Sequence, residues 1–371
     1  LPSKDIFCSP FDEATITKLE IFEKYFETWL PVFIKKSYNR TIHVFDLFAG
    51  SGYDVKGREG SPIRILKVIS KYSKLLMESN KRVSLFFNDK DQHKYEVLGE
   101  AVENEINKLG IEKCIDLTIT NVEFKQCLDN CIPKFKYGCN LLFIDQNGFS
   151  QVTEPIFRKL ISYDYTDFMF FISSSYIRRF ATTQEFKDLH PRFDVERIKT
   201  TQLKRIHNVV CGEFQKYIPS NVIQYALYPF SLMKEDKINI YGIIFVCKHP
   251  LAANNFLRIA WDKNKLNGTA NYDIDDEQAN DQGHLFEKPK KTKIEYFQSI
   301  LSEKILKGEI STNEEVYYYT LNEGHIPNHA AEIIIKMKND NLISFDNRRP
   351  LVNYQQVIKL KNKIEYKVIN K

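Results

Sequence analysis

Four short polar stretches each close an apolar run in the first half of the chain, and their side chains are of the types needed to grip a polar ligand along one edge of a sheet. In His43-Val-Phe-Asp-Leu-Phe-Ala-Gly-Ser-Gly52 an acid, Asp46, ends the run. Phe48 and Ala49 then lead into Gly50 and Gly52, where backbone can approach a ligand without interference from a Cβ. Asn88-Asp89-Lys90-Asp91 closes the second run, and the Asp89 carboxylate can accept hydrogen bonds from both hydroxyls of a ribose. After the third run, Asn121 or Glu123 is placed to take an adenine amino group. Asp145-Gln-Asn-Gly148 follows the fourth, at the strand end where open α/β sheets put their reactive groups.

Elements must bring these stretches together. Strands are expected at 42–45, 83–87, 117–120, 141–144 and 168–172, separated by helical patterns, which implies a parallel sheet covered on both faces. Two further strands, 222–228 and 240–247, are joined by polar residues 233–239 and read as an antiparallel hairpin. Asp12 is placed to cap a first helix whose stripe of Ile16, Leu19, Phe22, Phe26, Trp29, Leu30 and Phe33 is core. The loop after Gly52 is long, starting at Tyr53, and Gly57 and Gly60 let it fold back. Ser61 as N-cap and Pro62 as the first helical residue begin a helix over 62–76, whose free N–H groups suit an anionic carboxylate.

A nicotinamide fingerprint, Gly-x-Gly-x-x-Gly with an acid about 20 residues later, fails here. Position 55 is Val, and Asp89 lies well beyond that distance. Asp46-x-Phe-Ala-Gly-x-Gly52 is instead a methyltransferase pattern, so the expected cofactor is S-adenosylmethionine, held by Asp46, Phe48, Ala49, Gly50, Gly52, Tyr53, Gly60, Ser61, Asp89 and Asn121 or Glu123. The expected fold is α/β, a Rossmann-like class I methyltransferase sheet with a C-terminal winged helix. Asp145 and Asn147 would then hold a target amine while Phe149 stacks on a base; equally, Asp145 caps the next helix and Phe149 is core.

Phe48-Ala-Gly-x-Gly52 with Gly60-Ser-Pro62 and Ile144-Asp-x-x-Gly148 resembles the three-Cys-motif partner family. Trp29-Leu-Pro31, Gly148-x-Ser150-Gln151, Lys248-His-Pro-Leu251 and Trp261 are similar features. The resemblance implies a methyltransferase-like protein whose functional partner carries a three-cysteine, radical-S-adenosylmethionine-like motif. The chain departs from it at Asp145-Gln-Asn-Gly148, where members tend to have Asp-Pro-Phe-Gly.

Composition sets the outer limits. With 43% hydrophobic residues the chain is globular, and 371 residues suit one large core plus a smaller module. The domains expected are an N-terminal helical segment 1–38, a methyltransferase-like domain 39–286 and a winged-helix module 287–371. Seven scattered Cys without a C-x-x-C pair suggest neither a disulfide framework nor a metal site. A reducing cytoplasm is expected from those cysteines; residues 1–10 do not resemble a signal peptide, and no apolar run approaches the ~20 residues of a membrane span. Residues 288–371 carry 15 Lys and Arg against 10 Asp and Glu, a surplus equal to the net charge of +5. In that module Asn328, His329 and Lys336 fall on the outer face of a third helix, and Arg348 and Arg349 lie between wing strands expected at 342–345 and 354–360. A second basic stretch, 178–207, begins with Arg178 and Arg179 and interleaves Tyr176, Phe180, His190 and Phe193. Two functions fit: a methyltransferase acting on a nucleic acid, or a non-catalytic partner that keeps the fold and docks the three-cysteine protein through its winged helix.

Overall fold

The computed structural model describes residues 10–35, 40–146, 148–220, 225–234, 239–274 and 291–369. Asn147 and the expected boundary at 286/287 lie outside them. The chain divides into two compact units, Leu1–Lys248 and His249–Lys371. The first holds a seven-stranded sheet: β1 (Thr41–Asp46), β2 (Val83–Asn88), β3 (Ile115–Thr120), β4 (Gly138–Ile144), β5 (Thr166–Ile172), β6 (Ala226–Met233) and β7 (Ile240–Cys247). Its order is β3-β2-β1-β4-β5-β7-β6, with β7 antiparallel to both β5 and β6. This is the class I methyltransferase arrangement; an antiparallel pair closes one edge as expected, but its first strand runs over Ala226–Met233 instead of 222–228, of which 222–224 lie outside the described residues. β4 is buried along its whole length, as a central parallel strand must be when helices cover both faces, and so reads as a continuous apolar run. The register that pairs Asp46 with Phe143 and Phe87 brings the ends of β1, β2 and β4 level.

Helix α1 (Glu13–Lys35) belongs to this unit rather than forming a segment of its own. Asp12 Oδ1 accepts the Thr15 N–H at 2.7 Å, as expected of a cap, and Phe22 stacks on Phe143 of β4 at 4.3 Å. At the start of β5, buried Asp167 accepts the Tyr25 hydroxyl at 2.8 Å and the Trp29 indole N–H at 3.1 Å. Burial pushes its carboxyl pKa up to about 6 although both donors pull it down. Helix α2 (Ser61–Lys71) begins one residue earlier than expected, with Gly60 as N-cap and no side-chain cap. It stops at Tyr72, and α3 (Ser73–Glu78) takes up the rest of the expected helix. Helix α4 (Gln92–Leu109) is capped by Asp91 and ended by Gly110, α5 (Phe124–Phe135) follows β3, and α6 (Glu154–Ile161) lies between β4 and β5.

Within the second unit, helices Pro250–Lys263, Lys293–Leu306, Asn313–Asn322 and Pro327–Asn339 precede a small antiparallel pair, β8 (Ile343–Ser344) with β9 (Lys367–Val368). Capping boxes at Thr292/Glu295 and Thr312/Glu315 start the second and third of these helices. Leu301, Val316, Ala330, Ile334, Met337 and Ile343 form the unit's core. The stretch expected as the second wing strand is not one: Gln355–Lys359 is a π-helical turn. There the Leu360 N–H reaches the Gln355 carbonyl, while Asn353 holds the Gln356 N–H from the side chain and Val357 is the buried residue. The Pro250–Lys263 helix, placed before the expected boundary, belongs to this unit through Trp261, whose indole N–H bonds the Gly324 carbonyl at 2.9 Å. Gly268, at φ +58°, lies so close under that ring that a Cβ there would sit 2.5 Å from it.

Asp167→Ala should destabilise the protein by roughly 2–4 kcal/mol, because it strands two buried donors at once. Urea denaturation checks this; a loss below about 1 kcal/mol would mean that α1 is held by its apolar face alone.

Candidate functional site

The end of β1 turns through Gly50 (φ 65°) and Gly52 (φ 86°), a left-handed backbone that favours glycine. The turn is held from both sides. The Ala49 N–H bonds the Asn88 carbonyl at 2.8 Å and the Gly50 N–H bonds Asp89 Oδ2 at 3.0 Å. Gly60 N–H bonds the Gly52 carbonyl at 2.8 Å, and a Cβ on Gly60 would stand 3.0 Å from that oxygen, so the folded-back loop closes on backbone alone. Within the loop, Asp54 accepts N–H groups from Lys56, Arg58 and Phe11, each at 2.8 Å. Tyr53 pairs with Glu59 as a short bridge, and its hydroxyl donates to Glu105 at 3.2 Å.

Asp46 is wholly buried behind this turn. Its Oδ1 accepts the Phe48 N–H at 3.3 Å, while Oδ2 has no partner among the described residues. Burial pushes its pKa up to about 7; the adjacent Ser61 hydroxyl, though not in hydrogen-bond geometry to Oδ2, draws it down, and the Asp145 charge adds to the rise. Asp89 spends one bond of each carboxylate oxygen inside the protein, Oδ2 on Gly50 and Oδ1 on the Asp91 N–H at 3.0 Å, leaving each a free lone pair. Asn121 is drawn against the strand end, its amide donating to the Asp89 carbonyl at 2.8 Å, whereas Glu123 is solvated beside Lys90 at 3.7 Å. Phe48 stacks on Phe124 at 5.2 Å. The structure therefore gathers Asp46, the glycine turn, Ser61, Asp89 and Asn121 around one strand edge.

Beside them, β4 ends at Asp145, which is paired with Lys18 of α1 through Oδ2. The lysine side chain is 4% exposed and the aspartate 21%. Lys18 Nζ also lies 4.5 Å above the Phe171 ring. The next residue, Gln146, is buried, with Oε1 accepting the Gln151 N–H at 2.9 Å and Nε2 without a partner among the described residues. Ser173, just past β5, likewise buries an unpartnered Oγ. Three polar atoms without partners thus stand at the ends of adjacent strands β1, β4 and β5, where buried polar groups are ordinarily satisfied.

The remaining expected residues are scattered. Phe149 meets Phe186 edge-on at 5.3 Å and its carbonyl receives His190 Nε2 at 3.0 Å, so the ring expected to stack on a base is half-engaged in an aromatic cluster. Arg178 and Arg179 end α7 (Ser174–Phe180) and line a cavity of about 340 Å³. In the second unit Asn328, Lys336, Arg348 and Arg349 are exposed, but His329 is not. It is buried against Trp261 at 4.5 Å and hydrogen-bonded to His325 at 3.0 Å, and burial with the nearby Lys293 charge lowers its pKa to about 4. A neutral, covered imidazole offers nothing to a phosphate, so His329 is a packing residue. Arg348 and Arg349 lie on the connection between β8 and the π-helical turn rather than on a tight wing hairpin.

Sequence reasoning missed Lys18, Asp54, Asn88 and Lys199. For Lys18 a signal exists: it falls four residues before Phe22 and eleven before Trp29, on the apolar stripe where a solvated lysine has no place. Asn88 binds the carbonyls of Leu47 and Val122 and accepts from Thr120, tying three strand ends together; only tertiary structure reveals that.

A family model described as a GMT-like wHTH domain matches residues 270–350, and no curated protein matches the chain. Among solved structures the chain is similar to Trm1 from Pyrococcus horikoshii in complex with S-adenosyl-L-methionine, at 9% identity and a TM-score of 0.40, over 69% of this chain and 61% of that one. It is also similar to the DszA carbon methyltransferase, at 10% identity and a TM-score of 0.31, over 61% of this chain and 53% of that one. For the methyltransferase domain of bacterial CtHen1-C the values are 14% and 0.27, over 60% and 97%. The chain therefore spans less than two thirds of the first two structures it resembles. No described helix is long and apolar enough to cross a membrane. The family match falls on the Lys293–Leu306, Asn313–Asn322 and Pro327–Asn339 helices and on β8, so this part of the second unit is a winged helix-turn-helix.

Proposed function

We propose that the chain is an S-adenosylmethionine-dependent methyltransferase acting on a nucleic acid. The observation that carries this reading is the row of buried polar atoms without partners among the described residues, Asp46 Oδ2, Gln146 Nε2 and Ser173 Oγ, beside a glycine turn that closes through backbone. Such atoms are costly to leave unpaired, and three of them at adjacent strand ends suit a polar ligand that completes them. The donor set fits this cofactor. Asp46 suits a cationic amino group, the turn at Gly50, Gly52 and Gly60 with Ser61 suits the amino-acid end, Asp89 a ribose, and Asn121 or Glu123 an adenine edge. Phe48, Ala49 and Tyr53 wall the turn.

When bound, the cofactor supplies a methyl group on a sulfonium sulfur, transferred by in-line displacement, so the protein's task is alignment. Lys18 engages Oδ2 of Asp145 and fixes the carboxylate, leaving Oδ1 to accept the proton or hydrogen bond of the target group. Asn147 follows within the same loop and lies outside the described residues. The exposed Asn328, Lys336, Arg348 and Arg349 of the winged domain supply phosphate contacts. In the finer reading a three-cysteine protein is the working partner, which rests on the sequence resemblance, and the setting is cytoplasmic, which rests on the unpaired pattern of cysteines. Asp145 already being ion-paired favours the second reading, a regulatory partner that binds cofactor without turnover.

Two measurements test this. In calorimetry, S-adenosylmethionine should bind more tightly as pH rises towards about 7, by up to about tenfold per unit, because a cationic ligand favours the ionised Asp46 whose pKa burial has raised to about 7. Without ligand the sign is opposite: a carboxyl whose folded pKa lies above its unfolded value loses stability as pH climbs from about 4 to about 7. Asp46→Asn should flatten both dependences, and a wild-type affinity indifferent to pH would remove Asp46 from the site. Asp89→Ala should weaken binding at least tenfold, about 1.5–3 kcal/mol, since it deletes a charge-assisted acceptor and a brace of the turn. In the second measurement, labelled methyl transfer to extracted nucleic acids should be lost in Asp145→Ala while cofactor affinity is kept. Binding without any turnover in the wild-type chain would give the regulatory reading precedence.

A further inference from the structure

The chain leaving β5 runs beside the loop leaving β4, because the Ser173 N–H bonds the Gly148 carbonyl at 3.2 Å. The short helix that follows, α7, is held firmly. Ser174 Oγ is 2.8 Å from buried His207 Nδ1, whose other nitrogen is 3.0 Å from the Ile243 carbonyl, and Ser175 Oγ accepts the Ile240 N–H at 2.7 Å. Against this frame lies the cavity of about 340 Å³ lined by Ser175, Arg178, Arg179, Lys199, Leu203 and Asn239. That volume falls within the ~300–1,000 Å³ of small-molecule sites and exceeds what a bare ion needs.

Its charge is unbalanced. Nearby cations are neutralised: Arg158 and Arg192 pair with Glu154, and Arg197 and Lys216 with Glu213. Arg178, Arg179 and Lys199 form no ion pair with a carboxylate among the described residues; Arg178 instead donates to the Lys199 carbonyl at 3.3 Å, which draws all three around the hollow. Three unneutralised cations with a serine and an asparagine suit a group with several acceptor oxygens.

From the cavity a row of half-buried rings leads to Asp145. Arg179 lies 5.4 Å from the Tyr176 ring, Tyr176 is 6.5 Å from Tyr241, and Tyr241 stacks on Phe171 at 5.8 Å with only 10° between the planes. Lys18 sits over Phe171 and pairs with Asp145. Cations at one end and aromatic faces along the way are the two ingredients of single-strand recognition, which needs unstacked bases. We propose that the cavity beside α7 takes a backbone phosphate of single-stranded nucleic acid, and that Tyr176, Tyr241 and Phe171 guide the bases that follow along the strand towards Asp145. This rests on the methyltransferase reading for its direction, but the binding site itself does not.

The test uses the full chain with inorganic phosphate, AMP and a short single-stranded RNA, read by competition and by fluorescence anisotropy across a salt series. The RNA should bind at least about tenfold more tightly than AMP, and AMP more tightly than phosphate, as stacking adds to charge. Arg178→Gln with Arg179→Gln should raise the RNA Kd about tenfold or more and flatten the log–log salt slope by about 0.7, the share of one single-strand phosphate. Lys199→Gln, at the rim of the cavity, should act in the same direction and carries the test if the arginine variant does not fold. Arg348→Ala with Arg349→Ala reports the winged domain's share separately. Cofactor affinity should be unchanged in the cavity variants, so a chain that fails to bind S-adenosylmethionine yet keeps the Arg178-dependent slope sinks the methyltransferase reading alone. An RNA affinity and slope untouched by the cavity substitutions overturn the proposal, and AMP binding as tightly as the RNA overturns the strand in favour of a free nucleotide.

Discussion

A carboxyl oxygen buried with no donor is costly to a protein interior, and Oδ2 of Asp46 has no hydrogen-bond partner among the described residues. Much of the first unit is arranged around its cost. The turn beyond it is built of glycines because backbone, not side chains, must pass close by, and it is clamped by Asp89 on one side and by Gly60 on the other. Asn88 locks the neighbouring strand ends so that the turn has little freedom to relax towards the acid. The raised pKa of about 7 is the measure of this arrangement: the group stays neutral until a positive partner or a rising pH makes the ionised form tolerable.

The same economy appears in α1, which does more than cover the sheet. Along one face it carries Lys18 to the end of β4 and Tyr25 and Trp29 to the start of β5. Its polar groups therefore mark both ends of the central strands, and apolar stacking of Phe22 on Phe143 fills the space between. Any slip of the helix by one turn would unpair an acid at each end, so these contacts set its register in a way that greasy packing alone does not.

Much of this was legible in the sequence because parallel strands buried on both faces leave long apolar runs, and Leu141 to Ile144 or Phe168 to Ile172 can hardly be anything else. The acids and amides that close those runs are visible for the same reason. What escaped was whatever depends on a partner distant in the chain. Lys18 looks like a surface lysine until Asp145, 127 residues away, is known to meet it. His329 looks like an exposed helix residue until Trp261 covers it, and Val357 with Ile358 looks like a strand until Asn353 is seen to cap a turn. The boundary at 286/287 was drawn from a polar, Gly- and Asp-rich stretch, a feature of surface chain, while the compact units divide at 248/249 because Trp261 belongs to the later core.

That last contact has a consequence for the imidazoles beneath it. His325 stacks on Phe297 at 4.1 Å, both histidines meet the Trp261 ring, and burial holds their pKa values near about 2 and about 4. They are silent as bases throughout the neutral range. A winged domain cut at 287 would keep both histidines and lose the indole that shuts them from water. Its imidazoles would move back towards their ordinary range, where two of them 3.0 Å apart titrate as a mutually repelling pair. The intact chain is then the more acid-sensitive of the two, since histidines held neutral in the fold lose it stability as pH falls below their ordinary range, and exposing them would flatten that slope, so that Trp261 is what ties this domain's stability to acid.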